Sequence, residues 1–211
     1  GLGTGALAND DDSDNNNTAL GYNALNANTS GSENTALGYK ALEACTSGGH
    51  NVCLGQEAGD SITSAFLNTY VGSRCGRNNT TSSNNTGVGF AALEQITTGQ
   101  LNTAIGERAG DSITTGNNNT CIGEGADVSS ATVSHEITLG NSSVTKLRVP
   151  GLSVVAQAGS FAIGGAIYEN AQSISADYSI TSGNNAMSAG PITIDSGVTV
   201  TVTSGCTWTV V

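Results

Sequence analysis

Basic, aromatic and strongly apolar residues are all scarce in this chain. Its 211 residues include only 6 Lys and Arg against 17 Asp and Glu, which gives a formal net charge of −11. Nucleic-acid phosphates select basic surfaces, so an acidic chain with few cations argues against such a partner. No apolar run approaches the roughly 18 residues that a membrane-spanning helix needs. We therefore predict neither nucleic-acid binding nor membrane insertion.

Low charge and low aromatic content also raise the question of whether the chain folds. Charged residues make up 11% of the chain and aromatic residues 4%, and 29 residues are glycine. Polar composition of this kind is found in disordered segments. A strict internal repeat argues for folding instead, because a disordered chain has no reason to keep a register.

Eight glycines recur every 17 residues without a slip, and each ends a phrase close to Asn-Thr-Ala-Leu-Gly. A ninth, Gly3, is one residue out of register across the acidic stretch 9–14. A fixed period of this length is typical of stacked coils and not of a globule around a pocket. The eight glycines are Gly21, Gly38, Gly55, Gly72, Gly89, Gly106, Gly123 and Gly140.

The residue before each repeat glycine is always aliphatic, and the residue two places earlier is Thr in six of the eight copies. Residues two apart on a strand face the same way, so we predict that this pair forms the inward face of a five-residue strand. The Gly, Asn and Thr content argues against a helix. The predicted repeat-core residues are Leu20, Leu37, Leu54, Val71, Val88, Ile105, Ile122 and Leu139.

Small residues mark a second feature of the coil. Three places after each glycine comes Ala, Cys or Ser, and a polar turn of Thr, Ser and Gly follows in most copies. Gly and Asn are expected at the positive-φ corners, so one coil is predicted to be two short strands and two tight turns. Because so thin a coil buries little by itself, we expect several chains to pack together.

Cysteine usage fits the same picture. Cys53, Cys75 and Cys121 replace Ala at repeat positions, and we interpret them as small buried fillers. Cys53 and Cys121 are four coils apart, roughly 19 Å at the usual strand spacing, which is too far for a disulfide.

Catalytic and metal-binding side chains are sparse. The two histidines, His50 and His135, are five repeat lengths apart and cannot share one site within a chain. A Ser-His-Asp triad, a Cys-His pair or a metal cluster cannot be assembled from this inventory. We interpret both as solvent-facing turn residues and predict no enzyme activity, no cofactor and no metal site. Carboxylates alternate over 10–15 as in a calcium loop, but that stretch lacks the motif's glycine and later Glu, so a solvated acidic bulge is preferred to a bound ion.

The repeat fades after Gly140, and the Lys-Leu-Arg-Val-Pro-Gly stretch 146–151 marks a boundary. From residue 178 a shorter rhythm of eight residues begins, with alternating strand residues and Ser-Gly corners. We predict a β-roll shaft over 1–147, a neck over 148–177 and a β-helical or prism-like tip over 178–211. Trp is costly to expose, and one chain can hardly close so narrow a tip. We therefore predict that three copies share a core of Val200, Val202, Trp208 and Val210.

The repeat phrase of residues 1–144 resembles the head repeats of trimeric autotransporter adhesins, although its period is a little longer than theirs. This resemblance implies a left-handed β-roll with three chains side by side. Residues 136–148 are similar to an "ITLGNSS…LR" segment of fibre proteins from phages of marine and freshwater bacteria. Residues 178–211, with the closing Thr-Trp-Thr-Val-Val, are similar to the C-termini of virion structural proteins in the same phages. Together they imply a homotrimeric fibrous surface protein without catalytic residues.

We therefore expect an all-β solenoid that serves as a virion fibre or adhesin: a tail fibre, head fibre or spike that mediates host attachment. Its expected partners are its own copies, other virion proteins and a host surface glycan or protein. The alternative is a bacterial cell-surface filament or adhesin subunit that polymerises end to end. A polysaccharide-cleaving tailspike is disfavoured, since no acid pair in a groove is evident. The chain begins inside a repeat phrase, so we expect a preceding N-terminal part.

Overall fold

The computed structural model describes residues 2–10, 15–146, 173–180, 182–188 and 190–211. Two compact units divide the chain, Gly1–Val149 and Pro150–Val211, and the first is called the shaft and the second the tip. Every helix or strand among the described residues is a β-strand, as the sequence predicts. Most of the predicted neck 148–177 and most of the acidic stretch 10–15 lie outside the described residues.

The shaft is a solenoid with one sheet of eight parallel strands in chain order. Each strand pairs with the strand 17 residues later, so that Ala19 lies opposite Ala36 and Cys53 opposite Tyr70. A bridge from Leu2 to Leu20 adds a further coil at the N-terminal end. The predicted solenoid of 17-residue coils is thereby confirmed. The strands are β1 (Thr18–Leu20), β2 (Thr35–Leu37), β3 (Val52–Leu54), β4 (Thr69–Val71), β5 (Thr86–Val88), β6 (Thr103–Ile105), β7 (Thr120–Ile122) and β8 (Ile137–Leu139).

Each coil contributes one strand of three residues, not the two strands and five-residue length predicted. The strand ends because the chain turns at the repeat glycine, where φ is 136° at Gly38. A Cβ at Gly38 would lie 2.5 Å from the carbonyl oxygen of Gly55, so only glycine lets successive coils stack here. The rest of the coil is turns with left-handed corners, such as His50 (φ 57°) and Glu57 (φ 55°). Side chains other than Gly and Asn therefore occupy many corners.

The strand faces are the reverse of the prediction. The middle residue of each strand from β1 to β7 is buried, and the flanking Thr and aliphatic residues point outward. Ala104, for example, is fully buried, whereas Ile105 is 42% exposed. The assignment of the aliphatic column to the coil core is thus wrong. Leu20, Leu37, Val88, Ile105, Ile122 and Leu139 are exposed, and Leu54 and Val71 are only partly buried.

The width of the lumen explains this reversal. The buried strand residue faces the column of small residues three places after the glycine, such as Ala41 and Ala58, which is also fully buried. Larger side chains fill the lumen from the turns, where Leu42 and Ile62 are fully buried. Little volume remains for the strand residue in most coils, so six of the eight strands carry Ala, Cys or Gly there. Tyr70 fits in β4 because Gly76 leaves space for its ring. Cys53, Cys75 and Cys121 are fully buried, which confirms their interpretation as small fillers.

A column of asparagines runs beside the sheet, one residue before each strand from β1 to β7, and all of them except the partly buried Asn17 are buried. The Asn51 Nδ2 donates to the Oδ1 of Asn34 at 3.1 Å and to the carbonyl oxygen of Ala65 at 2.8 Å. The Asn51 Oδ1 in turn accepts from the backbone N–H of Asn68 at 3.1 Å. Each amide therefore satisfies backbone groups of the next coil as well as its own. The column comprises Asn17, Asn34, Asn51, Asn68, Asn85, Asn102 and Asn119.

The described part of the tip contains three pairs of parallel strands. Its strands are β9 (Ser173–Ile174), β10 (Tyr178–Ile180), β11 (Ala186–Ser188), β12 (Thr193–Ile194), β13 (Val200–Val202) and β14 (Trp208–Val210). β9 pairs with β12, β10 with β13 and β11 with β14. The predicted eight-residue rhythm holds for the steps from Tyr178 to Ala186 and from Val200 to Trp208, whereas the other steps between strand starts are five or seven residues.

The four residues predicted for the tip core occupy two environments within the chain. Val200 and Trp208 are partly buried and line a cavity of about 260 Å³. Val202 and Val210 are 46% and 49% exposed. The Trp208 Nε1–H donates to the Oγ of Ser188 at 2.8 Å, so the indole has a hydrogen-bond partner within its own chain. Whether these residues meet those of other copies stays a prediction.

Candidate functional site: the outer face of the shaft sheet

Two columns of side chains, one of Thr and one aliphatic, cover the outward side of the shaft sheet, which we call the outer sheet face. The aliphatic column is the set of eight residues that precede the repeat glycines, and the Thr column lies two residues earlier. In-register pairing places Thr86 beside Thr103 and Val88 beside Ile105. At about 4.8 Å per strand, eight strands give a face roughly 34 Å long. The face is therefore periodic along the shaft and largely apolar.

Exposure of this face is unusual for a protein that stays monomeric. Leu20, Leu37 and Ile105 are 44%, 44% and 42% exposed, six of the eight residues of the column are exposed, and Leu54 and Val71 are partly buried. Soluble monomers rarely expose contiguous apolar patches of more than a few hundred Å². Covering the exposed half of one such side chain stabilises by about 1 kcal/mol. Eight equivalent contacts along one face favour an interface.

Larger apolar side chains border the outer sheet face at its two edges, outside its two columns. Two residues beyond the aliphatic column lie Tyr22, Tyr39 and Phe90, each 43–49% exposed. At the other edge, Leu67 and Leu101 are 56% and 58% exposed with φ of 60° and 61°. A bulky side chain is disfavoured in the left-handed region, where equivalent coils carry Asn, Glu or His. Two coils thus hold an exposed Leu at a conformational cost.

Ion pairs within and between coils lie in the turns that follow the repeat glycines. Arg77 lies 3.2 Å from Glu57 and 3.8 Å from Asp60, and Arg108 lies 2.8 Å from Asp111. Burial, as the main cause, raises the pKa of Asp60 above its ordinary value. Lys40 and Arg74 also bond carboxylates. These four cations are already matched by acidic side chains, which leaves them poorly suited to binding phosphate.

The histidines lie at exposed corners, as the sequence predicts. His50 Nδ1 lies 3.0 Å from the Glu33 carboxylate, and His135 Nδ1 lies 2.9 Å from the Asn118 amide nitrogen. Among the described residues, no three His, Cys, Asp or Glu side chains are grouped to hold a metal ion. The same residues include no helix long and apolar enough to cross a membrane.

Side-chain volume is the signal that could have located this face from the sequence. The residue between the Thr and aliphatic columns is Ala, Cys, Gly, Tyr or Thr, and in six of the eight strands it is smaller than Thr. Reading Cys53 and Cys121 as buried implied that this middle position points inward. That inference was correct, and the simultaneous inward placement of Leu54 was incompatible with it, because neighbouring strand residues face opposite ways.

Comparison with family models, with curated proteins and with solved structures returned no match.

Proposed function

We propose that this chain is a structural and adhesive fibre subunit of a virion, a homotrimer without catalytic activity that contacts the host cell surface. The observation that supports this proposal most directly is the outer sheet face, an apolar surface that repeats in every coil of the shaft. Isolated coils this thin bury few side chains, so covering this face adds stability that a single chain lacks.

The periodicity of the outer sheet face favours a second copy of the same chain as its occupant. Its side chains repeat with each coil, at about 4.8 Å. A partner that fits such a face over its full length needs the same spacing, and a parallel copy has it. Three copies, in place of two, follow from the resemblance of the repeat phrase to trimeric adhesin heads. Placement on a virion follows from the similarity of residues 136–148 and 178–211 to phage proteins.

Light scattering after size exclusion tests the assembly. We expect the wild-type chain to elute with three times its mass of 21.0 kDa. The double variant Ile105→Asp/Ile122→Asp places two charges on the outer sheet face and should yield a lower mass with the β circular-dichroism signal retained. The matched control Thr98→Asp/Thr115→Asp adds the same charges at exposed turn residues away from that face and should stay trimeric.

A stable wild-type monomer at micromolar concentration would contradict the fibre proposal. Electron micrographs of the purified protein separate it from the filament alternative: we expect short particles of uniform length, and filaments of unlimited length would favour end-to-end polymerisation. Immunogold labelling of purified phage particles, with antibodies against this chain, tests the virion location. Labelling of bacterial cells without virions would contradict that location.

A further inference from the structure

Two stacked tyrosines lie at the N-terminal end of the shaft, at the edge of the outer sheet face. The ring centroids of Tyr22 and Tyr39 are 5.5 Å apart with an interplanar angle of 11°. The two side chains are 49% and 44% exposed. The equivalent positions of other coils carry Gln56, Ser73 and Glu107, so the repeat fold does not require an aromatic ring here. Exposed aromatic rings that folding does not need point to binding.

One ring face of this pair is open. Tyr39 has Tyr22 stacked on it and the Lys40 ammonium 5.7 Å from its ring centroid. On the far side of Tyr22, the preceding coil carries exposed Thr4 at the equivalent position, followed by Gly5. Neither residue has a side chain large enough to cover a phenol ring. The stack therefore ends in the open face of Tyr22.

Polar groups beside the stack are already held in place. The Glu43 carboxylate accepts a hydrogen bond from the Asn23 Nδ2 at 2.8 Å and lies 3.0 Å from the Lys40 ammonium. A Cβ at Gly5 would collide with the Asn23 Oδ1, so glycine makes room for this amide. The result is a fixed set of donors and acceptors whose single positive and single negative charge are matched.

We propose that the open face of Tyr22, supported by Tyr39 and bordered by Asn23, Lys40 and Glu43, binds a neutral pyranose saccharide. The apolar C–H face of a sugar ring suits an aromatic ring, and its hydroxyl groups suit amide, ammonium and carboxylate partners at the rim. Anionic sugars fit poorly, because Lys40 is paired with Glu43 and the chain carries a net charge of −11. This site rests on the proposed function, since it would supply the contact with a host surface.

Saturation-transfer NMR and calorimetry on the full chain test the site. The probes are hexamers of β-1,4-linked N-acetylglucosamine, β-1,4-linked glucose and α-1,4-linked glucose, with sialyllactose as the anionic control. We expect at least one neutral hexamer to bind and sialyllactose not to bind. The double variant Tyr22→Ser/Tyr39→Ser gives both coils the serine that a later coil carries at the equivalent position, Ser73. It should weaken saccharide binding at least tenfold. Phe90→Ser makes the same change at the equivalent position of a distant coil and should leave binding unchanged.

Two results would overturn the saccharide site: a wild-type protein that binds none of the neutral hexamers, or a tyrosine double variant that binds as well as Phe90→Ser. Light scattering on the same samples separates this failure from failure of the fibre proposal. A wild-type trimer that binds no saccharide would contradict only the saccharide site, whereas a wild-type monomer would contradict the fibre proposal. If the tyrosine double variant falls apart into monomers, the two rings belong to the interface between chains and the saccharide assignment is wrong.

Discussion

Tyr70 and Gly76 share one space in the lumen of the shaft. The Tyr70 ring lies where a side chain at Gly76 would project, and the Tyr70 Oη accepts a hydrogen bond from the Asn79 Nδ2 at 3.0 Å. The coil of β2 fills the equivalent space from the opposite side, with the small Ala36 on the strand and the buried Leu42 at the position of Gly76. In these two coils the same part of the lumen is therefore filled by different residues.

Because either Tyr70 or a larger residue at position 76 can fill this space, we predict that the effects of substitutions at the two positions on the free energy of unfolding are not additive. Tyr70→Ala alone leaves a cavity and should cost about 3–5 kcal/mol. Gly76→Leu alone overpacks the lumen and should cost about 1–3 kcal/mol or more. The double variant Tyr70→Ala/Gly76→Leu reproduces the arrangement of Ala36 and Leu42 and should recover at least about 2 kcal/mol of the combined loss. Thermal or urea unfolding of the four proteins measures the coupling, and additive losses would show that the two side chains do not compete for space.

The asparagine column predicts a large effect from a single amide. Asn68 donates to the carbonyl oxygen of Ser82 at 2.9 Å, and its Oδ1 accepts from the backbone N–H of Asn85 at 3.0 Å. Asn68→Ala should lower the melting temperature markedly, since each buried group left without a partner costs about 1–3 kcal/mol. Asn78→Ala, at a partly exposed turn residue of the same type, should cost under about 0.5 kcal/mol. Equal melting temperatures for the two variants would mean that the column does not stabilise the shaft.

Thiol reactivity should follow burial in the lumen. Burial raises the pKa of the Cys45 and Cys121 thiols to about 11 and that of Cys75 to about 12. It also raises the pKa of Cys53 well above its ordinary value. Because the thiolate is the reactive form, these thiols should not react with a disulfide reagent at pH 8 in the native protein.

Cys206 in the tip is only partly buried and is the thiol expected to react. We expect at most one equivalent to be modified in native protein and all five in denaturant, with Cys206→Ser reducing the native count to none. Rapid native modification of two or more thiols would show that the lumen opens on the timescale of the reaction.

The single Trp reports on the predicted common core of the tip. If three copies bring Val200 and Trp208 together, the assembled protein should show a blue-shifted emission that resists quenching by acrylamide. Ser188→Ala removes the hydrogen-bond acceptor of the indole and should perturb this emission without abolishing assembly. A solvent-like, readily quenched spectrum in the assembled protein would contradict a common core at Trp208.

The repeat made the fold of the shaft predictable to a large extent. Glycine at a spacing of 17 residues implied stacked coils, and the Thr and aliphatic residues beside it implied strands. It was harder to predict which side chains fill the lumen of each coil, because Leu42 and Ile62 enter it from turns that have no regular side-chain period. For the same reason, the aliphatic column of the outer sheet face was predicted to point into the lumen, whereas it points outward. Alternation along β6 means that Ala104 and Ile105 face opposite ways, but it does not determine which of the two faces the lumen.

The sequence by itself determined that this protein is a β-solenoid, since a strict period allows each coil to pair its backbone with the next in one register. It also determined that Cys53 and Cys121 are buried, because the column that they share holds Ala, Gly or Cys in six of the eight strands. Only the tertiary structure decided that Leu54 and its equivalents point outward, since that depends on how much volume the turn residues leave within the coil. The same width of lumen turns the aliphatic column from a core into a surface on which another chain can pack.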